Sequence, residues 1–557
     1  MRVSPKLALL LLFAVSGVHG KLPAQQDGGP DASPSLRLAE RVPAPLAYFA
    51  VPGGEGASGL DSLLDDPAAR LVWSSLVDES ATRALEQLRE LAALSAGEVE
   101  FTLNGLLARE GQPALPLLLC RVELSSEGAA KLQAALDDGR LGSPSEAISG
   151  RKTWLLASSP ARRAGGSFEL ALVGRELLVS NSRAALEDVL RVSTGSGRTN
   201  SGAHAESIAR HAIFAGQRAQ LGAASQGNVL HIDWRRLRER ALGRVGSAQA
   251  LALDALGFGS AEHVTLGLRV EPDAVRTTAI VDQPRGPDGL LAASTPSTPR
   301  KLLADLPPLS LAAMTISVDQ ARLRALVRAN DDVVGSRFGH GLAGGCRSFG
   351  LDFEEQVLPR LGGSGGVQLV LLDDSAERQG VAFSIAARSA AAARSVLVDL
   401  REGFERHRAE RGRPGASGHG RGDHDHDRDG PPRGGFTLEA DRELLTLRGP
   451  YGTTSLGVVG DSLVLAPDRG TIERLAELEK GGARDRSRTR ARTQDLCDRI
   501  LAGQASSKRA PIGVVQIDGS LLARDGTPRA AGAADGRHAG LLFLDDGALR
   551  IELVSPR

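Results

Sequence analysis

Between Gly418 and Pro432 the chain reads GHGRGDHDHDRDGPP. His419, His424 and His426 stand among Asp423, Asp425 and Asp427, and Asp429 follows. Neutral imidazoles and carboxylates are ligands for zinc, copper or nickel, so these six residues are the candidate metal set. The same stretch holds its ligands on poor supports. Gly418, Gly420, Gly422 and Gly430 give flexible backbone and Pro431-Pro432 an extended one, so weak, adventitious binding is the expected limit. A solvated insertion rich in ligand-type residues is the competing reading. Arg421-Gly422-Asp423 also spells an adhesion tripeptide, but a three-letter match in a Gly- and Arg-rich chain carries no weight.

Other chemistry-bearing patterns have structural explanations. Gly362-Gly363-Ser364-Gly365-Gly366 fits the G-x-S-x-G elbow of serine hydrolases. That elbow needs a strand before the serine and a helix after it, whereas LDFEEQVLPRL precedes and VQLVLL follows; a helix-to-strand turn is expected. Asp352, Glu354 and Glu355 open the same segment, where acids favour the positive end of a helix. Arg484, Arg486, Arg488, Arg490 and Arg492 recur at every second position after Gly481-Gly482; a contact for an anionic polymer is one reading, and without neighbouring aromatics or a basic balance a solvated connection is the favoured one. The chain contains no HExxH, no phosphate loop, no CxxC pair and no dinucleotide fingerprint. No catalytic residue and no cofactor are therefore assigned.

The elements that would position these residues recur. Ser167–Leu190 and Thr453–Leu478 each read as a hairpin followed by a helix, and Gly174, Leu177, Arg183 and Glu187 match Gly460, Leu463, Arg469 and Glu473 at a constant spacing of 286. VLHIDWRRL and VVQIDGSLL, 285 apart, and the related TISVDQARL each end a short strand in Asp233, Asp518 or Asp319, a helix N-cap. The hairpin from His263 resembles that from His538. Ser125, Leu132 and Leu136 match Ser389, Val396 and Leu400 at a spacing of 264. The spacing grows by 22 between this helix and the next hairpin, so the His/Asp stretch falls within an insertion that one copy has and the other lacks.

These patterns predict an α+β fold: tandemly duplicated modules of mostly antiparallel sheet with helices packed on one face. The first repeat spans 40–285, a linker 286–300, and the second repeat 301–557, with a disordered insertion at 411–434. Residues 21–39 form a flexible N-terminal segment. Residues 1–20 have the basic, apolar and small-residue layout of a cleaved secretory signal. An exported protein, periplasmic or extracellular, is expected, with no membrane span after cleavage.

The 67 basic and 67 acidic residues balance, which gives no support to a nucleic-acid partner. Aromatic residues at 3% argue against stacking platforms for sugars or single strands. Cys120, Cys346 and Cys497 are too few and scattered for a disulfide framework.

The leader, the strand-Asp-helix units, GLDFEEQVLPRLGG at Gly350–Gly363 and the VVGDSLVLAPDRGTIERL hairpin-helix together resemble the domain of unknown function numbered thirty-three fifty-two. The resemblance implies an exported α+β protein with no assigned activity and supplies no catalytic residues. Three functions stay open: a non-enzymatic binding or scaffold protein that meets an unknown protein or envelope component, a metal buffer acting through the His/Asp loop, and a hydrolase with an unrecognised site.

Overall fold

In the computed structural model, the first alternating segments form strands β1 (Ala47–Val51), β2 (Ser95–Arg109) and β3 (Gln112–Leu124). Ser125 ends β3: its hydroxyl accepts from the Gly128 amide and starts helix α1 (Ser126–Asp137), which buries Leu132 and Leu136. Strands β4 (Gly142–Ile148), β5 (Arg151–Leu156), β6 (Glu169–Val173) and β7 (Glu176–Ser180) follow, then helices α2 (Arg183–Ser193) and α3 (Ala212–Leu221). The β6–β7 turn needs a left-handed residue, and Gly174 supplies it at φ 62°. Strand β8 (Asn228–Asp233) ends in Asp233, whose carboxylate accepts from the Arg236 amide at the start of α4 (Trp234–Leu242); β9 (His263–Val270) and β10 (Ala274–Asp282) complete the half.

Two short helices, α5 (Gly289–Ala292) and α6 (Pro299–Ala304), join the halves. The second half holds β11 (Ala312–Ser317), α7 (Gln320–Arg328), α8 (Ser336–Ser348), β12 (Leu361–Leu371), β13 (Gln379–Ala387), α9 (Ala390–Arg411), β14 (Thr437–Ala440), β15 (Leu444–Gly449), β16 (Gly452–Val459) and β17 (Ser462–Ala466). It ends with α10 (Arg469–Gly481), α11 (Ala483–Gly503), β18 (Gly513–Asp518), β19 (Arg537–Asp545) and β20 (Ala548–Pro556). Asp319 caps α7 and Ser389 caps α9, as the sequence predicts. The structure describes residues 38–556 apart from 43–44, 52–94, 110–111, 157–167, 194–210, 223–227, 243–255, 271–273, 306–311, 331, 334–335, 349, 373–378, 412–436, 441–442, 450–451, 482, 504–508, 519–536 and 546–547.

The twenty strands make one antiparallel sheet. From one edge the order is β4-β5-β6-β7-β3-β2-β1-β8-β9-β10. It continues as β20-β19-β18-β11-β12-β13-β17-β16-β15-β14. The halves meet through β10 and β20, paired along nine residues from Ala274–Pro556 to Asp282–Ala548.

The pairing scheme of β1–β10 thus recurs in β11–β20. With Asp233 set on Asp518, the registers place Thr265 on Ala539 and Ile280 on Val554, both 274 residues apart. Thr278 and Glu552 are also 274 apart, and they pair directly with one another. An approximate two-fold axis therefore passes through that pair. His263 falls on Arg537 in this register, one residue from the His538 match that the sequence suggests.

Helices cover both faces of the sheet, where the sequence predicts one. Leu177 and Val179 of β7 pack with Leu132 of α1, while the intervening Leu178 packs with Leu186 of α2. In β13, Ala387 meets Leu397 of α9 and Ala382 lies in the cluster of Ile472 on α10. A strand buried at every position, as β7 and β11 are, needs apolar cover on both sides.

The core crosses the junction. Trp234, Leu266 and Val281 of the first half share one cluster with Met314, Ile316, Leu542 and Ile551 of the second. Leu290 and Leu291 of α5 are buried, so the 286–300 connection contributes to the core, as do Leu302 and Leu303 of α6 just beyond it. The ordered body also begins before residue 40, because Leu38 and Ala39 are fully buried against the sheet.

Candidate functional site

The sequence-predicted ligands His419, His424, His426, Asp423, Asp425 and Asp427 lie outside the described residues, as do the leader and most of the 411–434 insertion. Among the described residues, no group of three or more His, Cys, Asp or Glu side chains is placed to hold a metal ion.

The serine of the G-x-S-x-G match is not displayed. Gly362–Gly366 lie inside β12, at the register irregularity between Leu361 and Gly365, and not in a turn between helix and strand. Ser364 is buried, with its hydroxyl bonded to the Asp305 carboxylate. Gly366 is required because a Cβ there would lie 1.9 Å from the Met314 carbonyl on β11.

Asp352 caps the turn it precedes by accepting from the Glu355 amide, and Glu354 pairs with Arg328 at 2.6 Å. The arginine run is helical, within α11, and not a connection: Arg490 and Arg492 are exposed and Arg490 donates to the Ala304 carbonyl. Leu496, Cys497 and Ile500 of α11 are buried, which anchors on the sheet the helix that contains the arginine segment. All three cysteines are free. Burial pushes the Cys497 thiol up to about 12 and Cys346 to about 11, so neither supplies a thiolate at neutral pH.

Two polar clusters inside the first half are the structure's own candidates. The first centres on Arg121, fully buried in the middle of β3. It donates to Glu100 at 2.9 Å and to Glu176 at 3.0 Å. Glu100 also accepts from the Leu38 amide and the Tyr48 hydroxyl, and Glu176 accepts from Arg41 at 3.0 Å. Burial holds the Glu100 carboxyl above its ordinary range, against the pull of Arg121, Tyr48 and Leu38. For Glu176 burial also opposes ionisation, but Arg41 and Arg121 outweigh it and its pKa falls. Every charge has an opposite partner, and the cluster ties the segment from Leu38 to Arg41 onto the sheet. The registers place Gly366, Ser384 and Ser462 where Glu100, Arg121 and Glu176 stand, so the second half lacks this network.

The second cluster lies on the same face, one strand away. His211 stands at the N-terminus of α3, His231 is buried on β8, and His263 begins β9. The His231 and His263 rings are 5.5 Å apart and nearly parallel; His211 and His263 are also 5.5 Å apart. His231 Nδ1 is 2.6 Å from the Thr265 hydroxyl, which donates to the side-chain carbonyl of Gln217 on α3. Phe214 meets both the His231 ring and the Tyr48 ring edge-on, which links this cluster to the first.

Neither cluster is singled out by motif or spacing. Each leaves a weak trace in sequence: a charged or imidazole residue interrupting an apolar strand, as in LLLCRVEL and VLHID. Only the sheet order brings residues 38, 100, 121 and 176, or 211, 231 and 263, together.

No family model and no curated protein matches the chain. Two solved structures are similar to part of it. Crystal form III of TP0453 is 8% identical and covers 46% of this chain and 81% of its own at a TM-score of 0.24. Crystal form IV of TP0453 is 10% identical, covering 44% and 79% at 0.25. Likeness of this degree carries no argument about function.

Proposed function

We propose that this is an exported, non-enzymatic binding or scaffold protein of the bacterial cell envelope, built by duplication of one α+β module and related to the family it resembles in sequence. One observation carries the reading: the two halves fuse edge to edge through β10 and β20 into a single sheet. Twenty strands at about 4.8 Å spacing give a sheet whose contour, followed from strand to strand, is about 90 Å. A core shared across the junction stiffens it. The polar clusters described above support the same reading, because Glu100, Arg121 and Glu176 bond to one another and to the chain's own N-terminal segment.

Metal buffering through His419, His424 and His426 is the rival reading, and it makes the opposite prediction. Zinc titrated calorimetrically into the chain without residues 1–20, and into the same chain lacking 411–434, should give no loop-dependent heat in the micromolar range. Cross-linking in the producing cell, followed by purification, should recover one recurrent envelope component with either chain. Loop-dependent zinc heat together with no recurrent component would overturn the scaffold reading.

A further inference from the structure

We propose that His231 and His263, packed with His211, form an acid-sensitive catch, in which neutral His231 and His263 rings let α3 lie on β8 and β9, and proton uptake by them frees α3 from the sheet.

The hydrogen bonds need only one proton on His231. The single Thr265 hydroxyl proton goes to Gln217 Oε1, so His231 Nδ1 must carry the hydrogen that it shares with Thr265. The chain His231 to Thr265 to Gln217 forms with His231 neutral and makes a polar link between sheet and helix, the Gln217 amide nitrogen being buried without a partner. A second proton on His231 would create a buried cation beside two other imidazoles, in a place closed by Phe214 and Tyr48. The Nδ1 atoms of His211 and His263 are buried without a hydrogen-bond partner. A proton on the His263 atom would make a buried N–H with no acceptor.

The surrounding charges do not remove this penalty at His231. Asp233 and Asp282 are the cross-strand neighbours of His263, and Glu262 precedes it, so the anions gather at that ring. On α3 the charged side chain is Arg218, a further cation; on β10 Arg276 turns to the Arg499 carbonyl of α11; on β1 the face presents Tyr48, which leads to Glu100. Burial, then His263 and His211, depress His231 to about 3, and burial lowers His263 despite its carboxylates. The folded value lies below the free value of about 6.5. The stabilisation is therefore complete above about pH 6.5 and is lost as the pH falls towards about 3.

The second half is an internal control. Gln516 stands at the register position of His231, and Ala539 at that of Thr265. Thr493 of α11 donates to Gln516, a contact that no proton alters in this range.

Hydrogen exchange on the full chain at pH 7.5 and pH 5.0, corrected for the intrinsic pH dependence, tests the catch. The opening equilibrium of residues 211–222 should rise about 30-fold at pH 5.0, the linkage expected for His231 alone, while α11 keeps its protection. His231→Gln should retain protection at pH 7.5 and lose most of the rise. Should that variant not fold, a nitrogen-detected titration of the wild-type histidines serves: the His231 ring should stay neutral down to the pH at which α3 opens. Unchanged protection of 211–222 at both pH values, an equal rise in α11, or a protonated His231 under a protected α3 would each overturn the proposal.

Discussion

Arg121 concentrates the electrostatics of the first half in one side chain. Its guanidinium is fully desolvated and repaid by Glu100 and Glu176. Removing the cation alone leaves the buried Glu100 carboxylate without a cation and Glu176 with Arg41 only, which costs about 3–5 kcal/mol for a pair of this kind. Arg121→Met should destabilise the chain by that amount in chemical denaturation. The triple variant with Glu100→Gln and Glu176→Gln should recover much of the loss, as a site with no charges to satisfy does in the second half at Gly366, Ser384 and Ser462. If the triple variant is the less stable of the two, the penalty lies in packing and not in unpaired charge. Glu176 adds a weaker acid sensitivity: its lowered pKa stabilises the fold above the ordinary carboxylate range, and that share fades as the pH falls through it.

Among the elements, β12 shows how one strand can be constrained by its neighbours. Its glycines match a hydrolase elbow in sequence, yet their place is set by how closely β11 and β13 approach. Gly366→Ala would drive a methyl group into the Met314 carbonyl, and about 1–3 kcal/mol or more should be lost, read as a lower melting temperature with reduced soluble yield. Gly174 and Gly460, by contrast, are needed for their turns, φ 62° and 61°, and the matched spacing of these two residues was readable without a structure. The caps at Ser125, Asp319 and Ser389 were readable for the same reason, because a cap acts on amides two or three residues away. The side chains of β7 show where such reading stops. Its run of apolar residues is explained only by helices on both faces, and one of those helices, Ser126–Asp137, lies three strands earlier in the chain.

At the scale of the molecule, the halves should unfold together. Ile551 of the second half and Trp234 of the first belong to one cluster, so a cavity at Ile551 is felt by both. Ile551→Ala should cost about 2–5 kcal/mol, and the exchange protection of β9 and of β18 should fall by the same factor. A loss confined to β18 and β19 would mean that the β10–β20 seam joins two independent bodies.

The sequence by itself determined the local grammar: strand–cap–helix units, matched hairpins, the glycine turns and the α+β class, since each depends on residues within a few positions of one another. It also displayed the recurrence of those units, at spacings from 264 to 286. Tertiary structure alone decided that the halves share one sheet through β10 and β20, that the connection between them is core, and that helices cover both faces. It also assembled Arg121 with Glu100, Glu176 and Leu38, and His231 with His211 and His263. Such contacts join residues dozens of positions apart. They exist only because strand order, which no local interaction specifies, sets β3 beside β7 and β8 between β1 and β9.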